Sequence, residues 1–186
     1  GDRGLRVIDV SSPAAPREVG ALDTPGAANG VFLAGDTAYV ANQDQGLRVI
    51  DVSSPAAPLN LGALDSPGAA AGVFVVGTTA YVADGDRGLR VTDVSNPAAP
   101  RDLGALDTPG YAGSVFVVGS TAYVADGIRG LRVIDVSTPA APREIGALDT
   151  PGSANGVFLA GDTAYVADGD RGLRVIDVSS PAAPRE

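Results

Sequence analysis

Short apolar runs alternate with turn signals along the whole chain. In the run from Leu5 to Val10, an extended backbone places Leu5, Val7 and Asp9 on one face and Arg6, Ile8 and Val10 on the other. Both faces are largely apolar, which predicts a strand covered on two sides rather than one. A weaker strand is predicted over Arg17 to Leu22, a third over Val31 to Ala34 and a fourth over Thr37 to Ala41. Between them lie SSPAAP, LDTPG, AGDT and ADGDR, each rich in the residues that chain reversals require. The Pro-Ala-Ala-Pro segment excludes a helix, and no 3.6-residue spacing of apolar positions occurs.

This pattern repeats. GLRV begins at Gly4, Gly46, Gly88, Gly130 and Gly172, a step of 42 residues, so the 186-residue chain holds about 4.4 repeats. Gly1 to Glu18 recurs letter for letter as Gly169 to Glu186. Such near-identity indicates recent amplification or deliberate design. Four antiparallel strands in one repeat of this length predict an all-β fold, a β-propeller of four-stranded blades. Helical solenoids lack this periodicity, and a parallel β-helix has shorter coils.

The segments GLRVIDVSSPAAP, VGALDTPG and TAYVADGDRGLRV, read in succession, resemble the LVIVD repeat family, and the resemblance covers essentially the whole chain. It implies a β-propeller, and a source among bacterial and archaeal surface or secreted proteins, hence an extracellular or cell-surface location. It implies no defined activity.

By analogy with other propellers, Val31 to Ala34 is an inner strand A, followed outward by B, C and D. The chain is then a single array over 1–186: a half-blade of strands C and D over 1–25, full blades over 26–67, 68–109 and 110–151, and strands A, B and C over 152–186. The incomplete blades are complementary, with one excess strand C. Unpaired strand edges template association, so the expected partner is a second copy, head to tail. Leu5, Val7, Ile8 and Val10 would form one assembly edge, and Leu173, Val175, Ile176 and Val178 the other. A four-bladed ring closed within one chain, an eight-bladed ring of two chains and a longer array all satisfy this arithmetic. The sequence starts Gly1-Asp2-Arg3, without initiator Met or signal peptide, as expected of a processed product or an excerpt.

Composition narrows the chemistry. With 22 acidic and 13 basic residues the net charge is −9, which argues against nucleic acid and anionic membranes as partners. No apolar stretch is long enough for membrane insertion. There is no Cys or His, and every basic residue is Arg, which removes thiol nucleophiles, the usual acid/base group near neutral pH and Schiff-base lysines. The expectation is therefore a non-enzymatic structural or interaction module. One alternative is a symmetric ring that binds a small ligand or Ca²⁺. Another is an engineered or amplified propeller whose only task is folding.

Candidate sites follow from the repeats. Asp84 with Asp86, and Asp168 with Asp170, flank a glycine and offer oxygen ligands to Ca²⁺, although an Asp-Gly hairpin turn explains the same residues. No other cofactor is expected. Asp9, Asp51, Asp93, Asp135 and Asp177 lie within strand C, where a carboxylate needs a partner. A backbone N–H or an arginine of an adjacent strand or blade is expected, with the series from Arg6 to Arg174 as candidates across blades. Asp23, Asp65, Asp107 and Asp149 precede Thr/Ser-Pro-Gly, a turn signature without evident chemistry. Tyr39, Tyr81, Tyr123 and Tyr165 suit inter-blade packing. Tyr111 replaces a small residue and is the one aromatic that breaks the repeat.

Overall fold

The computed structural model describes residues 3–186 and contains seventeen strands. A leading pair, β1 (Leu5–Asp9) and β2 (Arg17–Leu22), forms a two-stranded sheet. The first blade is β3 (Gly30–Ala34), β4 (Thr37–Ala41), β5 (Leu47–Asp51) and β6 (Leu59–Leu64). The second is β7 (Gly72–Val76), β8 (Thr79–Ala83), β9 (Leu89–Asp93) and β10 (Arg101–Leu106). The third is β11 (Ser114–Val118), β12 (Thr121–Ala125), β13 (Leu131–Asp135) and β14 (Arg143–Leu148). A three-stranded sheet follows: β15 (Gly156–Ala160), β16 (Thr163–Ala167) and, after a single 3-10 turn at Gly169–Arg171, β17 (Leu173–Asp177). Each sheet is an antiparallel meander, as two-residue and slightly longer turns dictate.

The sheets stack face to face, and both faces of an internal sheet are buried, as the strand pattern requires. Between the second and third blades, Tyr81, Leu89 and Val91 meet Val115, Val117, Val124 and Ile134. The equivalent side chains repeat this interface between the third blade and the sheet after it. Phe32, Phe74, Phe116 and Phe158 form a ladder along the innermost strands, with successive ring centroids 4.7–4.9 Å apart.

The outer strand reads weakly in sequence for a physical reason. A register shift between Asp102 and Gly104 leaves Leu103 unpaired and turned into the inter-blade core. Gly104 then lies so close to the next blade that a Cβ there would sit 2.5 Å from the Pro139 carbonyl oxygen. The glycine costs strand propensity and permits the blades to close.

Candidate functional site

Two features of the fold carry polar or unsatisfied chemistry: the turns between the second and third strands of each sheet, and the two outermost faces.

At the turn after β8, Asp84 is fully buried. Its Oδ1 accepts from Ser66 Oγ at 2.5 Å and its Oδ2 from the Gly68 N–H at 3.1 Å, both on the connection arriving from the preceding blade. Asp126 does the same with Thr108 (2.5 Å) and the Gly110 N–H (2.9 Å), and Asp168 with Thr150 and the Gly152 N–H. A strand arginine completes the group: Arg174 Nε donates to Asp168 at 3.2 Å, and Arg132 lies 3.7 Å from Asp126 and also pairs with Asp149. Burial pushes the carboxyls of Asp84 and Asp126 above their ordinary range, against the opposing pull of these hydrogen bonds and arginines. The next residue, Gly85, takes φ +58° and exchanges backbone hydrogen bonds with Ala112 of the following blade. The turns at Asp84 and Asp126 therefore tie their own blade to the one before and the one after.

This geometry places the proposed Ca²⁺ ligands apart in character. Asp84 and Asp168 are buried with both oxygens engaged, whereas Asp86 and Asp170 are exposed on the turn. Among the described residues no three acidic side chains gather into a metal-holding group. An open groove of about 550 Å³ beside Asp44, Ser66, Pro67, Asp86 and Arg87 mixes both charges. Tyr111 lies half-exposed beside the turn glycines Gly85 and Gly127.

The strand aspartates find both a backbone N–H and an arginine of the adjacent strand. Asp93 accepts the Ser95 N–H at 2.8 Å and pairs with Arg101, its neighbour in register on β10. Hydrogen bonding by Ser95, then by Arg101, holds its carboxyl down at about 2. Asp9, Asp135 and Asp177 repeat this with Arg17, Arg143 and Arg185. The partner is thus in the same sheet, not the next blade, and is not the Arg6 series. Those arginines point to the opposite face, as the alternation of a strand requires, and serve Asp23, Asp102, Asp149 and Asp168 instead.

The outermost faces differ sharply from the internal ones. On the last sheet Phe158 is 59%, Leu173 63% and Val175 49% exposed, while in the third blade Phe116 is partly buried and Leu131 and Val133 are fully buried. On the first blade Val31 and Leu33 are each 61% exposed against 5% for Val115 and Val117. Of the expected assembly residues, Ile8, Val10, Leu173 and Val175 are exposed. Ile176 and Val178 instead pack against the third blade, because they occupy the other face of β17. Leu5 packs on the first blade, and Val7 is half-buried. Tyr39, Tyr81 and Tyr123 are buried between blades, whereas Tyr165 is exposed.

The LVIVD repeat family matches residues 1–24, 25–65, 67–108, 109–150 and 151–186. The chain belongs to the LVIVD-repeat family. Its copies correspond one for one to the structural repeat, so this LVIVD chain is a β-propeller array along its whole length. Solved structures of similar fold include the computationally designed Ika8 protein (TM-score 0.73, 10% identity) over 94% of the LVIVD chain and 52% of Ika8. The LVIVD chain thus spans about half the length of Ika8. The computationally designed Ika4 protein matches with TM-score 0.71 and 10% identity over 88% of the LVIVD chain and 99% of Ika4. No curated protein is significantly similar in sequence. No helix among the described residues is long and apolar enough to cross a membrane.

The sequence reading overlooked the pairing of Asp84, Asp126 and Asp168 with a hydroxyl residue 18 positions earlier. The signal was present: Thr or Ser always precedes Pro-Gly there, and it was credited to a local turn.

Proposed function

We propose that this chain is a non-enzymatic structural and interaction module of the cell surface or extracellular space that binds copies of itself head to tail through its outermost blades. The observation that carries this reading is the exposure of Leu173 and Val175 at one end and Val31 and Leu33 at the other, when the same positions are buried at the internal interfaces, together with Phe158, whose counterparts Phe74 and Phe116 are partly buried. Burying one such side chain contributes about 1.5–3 kcal/mol. Self-recognition follows from the repeat, since each end presents the surface that an internal blade already binds. The absence of His, Cys and Lys from the sequence supports a non-catalytic role, as does the presence of the same residues in every blade.

The near-identity of the copies, together with a fold shared with designed proteins, favours a second reading: an engineered or recently amplified propeller with no task beyond folding.

Light scattering across a concentration series separates the two. A mass of two chains or more, unchanged by calcium or a chelator, is expected for self-association. A single-chain mass at every concentration sinks it and leaves the second reading. A mass that follows calcium would transfer the function to the aspartate turns.

A further inference from the structure

We infer that the rim formed by the turns of the three full blades binds a neutral linear polysaccharide, with Tyr111 as the platform on which one sugar ring stacks. The site is separate from the outermost faces and does not depend on self-association.

The turns after β4, β8 and β12 follow one another along this rim. The open groove of about 550 Å³ lies between the first two, with Asp44 from one turn, Asp86 and Arg87 from the other, and the connection 66–69 between them. One blade further on, Tyr111 stands where the groove has Ala69, and Ile128 stands where it has Asp86. A Cβ on Gly85 would sit 3.0 Å from Tyr111 Cε2, and one on Gly127 would sit 3.4 Å from Tyr111 Cβ. The side chain is thus held against two backbone turns, while Tyr111 stays 42% exposed and Ile128 beside it 75% exposed. Asp86 and Arg87 follow Gly85 on the turn that Tyr111 touches, so the ring and the groove adjoin.

This combination suits a sugar chain. A pyranose carries C–H bonds on its faces and hydroxyls around its edge. The C–H side is drawn to the electron-rich face of an aromatic ring. The hydroxyls need hydrogen-bond donors and acceptors together. Tyr111 supplies the aromatic face, and Asp44, Asp86 and Arg87 supply acceptors and donors. Among the described residues none of these three side chains makes a hydrogen bond or an ion pair, so binding gives up no existing bond. Ile128 takes the place of a carboxylate found in the other copies and keeps a hydrated charge away from the ring. An open groove holds a polymer along its length, whereas a small molecule is bound by enclosure.

Other occupants fit less well. Each side of a standard protein–protein interface buries roughly 800 Å², far more than two apolar side chains provide. The groove presents both signs of charge, which favours a neutral ligand over an anion or a cation.

Affinity gel electrophoresis tests the site. Hydroxyethylcellulose, soluble starch, mannan and galactan are cast into separate native gels, and a gel without polysaccharide serves as reference, so self-association cancels from the comparison. Retardation by at least one of them is expected, unchanged by calcium or a chelator. Tyr111→Ala supplies the residue that the copies at Ala27 and Ala69 already carry, so an unchanged melting temperature is expected. It should weaken binding at least about tenfold, while Tyr111→Phe keeps the ring and retains binding. Arg87→Ala and Ile128→Asp are expected to weaken it less. No retardation in any of the gels overturns the proposal. So does retardation that Tyr111→Ala leaves intact, or that Tyr111→Phe loses equally, because the ring is then not the platform. Stronger retardation by polygalacturonate would make the ligand an anion, and a requirement for calcium would move binding to the aspartates; either result also overturns it.

Discussion

The first and third blades are built from almost the same letters, yet only the third has both of its polar ties complete. In the third, Asp126 accepts from Thr108 and Gly110 and lies 3.7 Å from Arg132 as an ion pair, and Asp135 pairs with Arg143. In the first, Asn42 stands where Asp126 stands, and Leu59 stands where Arg143 stands. Asn42 still accepts from Thr24 at 2.8 Å, but its Nδ2 is buried with no partner, and Arg48 has an amide rather than a carboxylate beside it; the Nε atoms of Arg48 and Arg132 are buried without a hydrogen bond in both blades. Gly26 no longer donates to the turn and bonds to the Thr24 carbonyl instead, with φ +139°. Gln43 takes the left-handed conformation, φ +47°, that glycine occupies in the other turns. The backbone keeps its course through all of this, and Gln43 still bridges Ala70. The lesson is that apolar stacking and strand pairing define the blade, while the carboxylate sets how firmly it is held to its neighbours.

The largest expected effect comes from breaking the intact tie. Asp126→Ala leaves the Thr108 hydroxyl and the Gly110 N–H without their acceptor and removes the carboxylate paired with Arg132, and should cost about 3–5 kcal/mol. Hydrogen exchange would show the loss concentrated in the third blade and the connection before it. A uniform loss, or none, would mean that the tie is incidental. Repairing the broken copy is expected to do less. Asn42→Asp supplies a carboxylate to Thr24 and Arg48 and should stabilise the first blade by about 1 kcal/mol. Thermal melting reads this directly, and a lower melting temperature would show that burial of the charge outweighs its partners. The smallest effect belongs to the exposed pair. Leu59→Arg restores a partner to Asp51 and is expected to add no more than about 0.5 kcal/mol, diminishing with salt. A gain as large as that of Asn42→Asp would contradict the ranking of buried over exposed ties.

The strands were legible because their signal is local: alternating apolar letters, recurring turns and a fixed period. Strand limits read from the letters agree with the structure to within a residue, as with Val31 to Ala34 against Gly30–Ala34. The double-sided burial of Leu47 and Ile50 followed from the same run. The ties were not legible, because they join residues across a blade boundary. The Thr108–Asp126 pair looks like two unrelated turns until the connection folds back over the hairpin. The wrong arginine was assigned to the strand aspartates for a related reason. The letters offered the Arg6 series from an adjacent blade, while the register of β9 with β10 places Arg101 of the same sheet opposite Asp93.

The sequence alone determined the repeat, its all-β character, its family and the absence of Cys, His and Lys, since each is a property of letters and spacing. Tertiary structure decided which face of each strand meets which neighbour, and so which apolar residues are left exposed. Leu173 and Ile176 are equally apolar and three positions apart. Only the stacking order, which sets Ile176 against the third blade and turns Leu173 to the opposite face, where no blade lies among the described residues, exposes the first and buries the second.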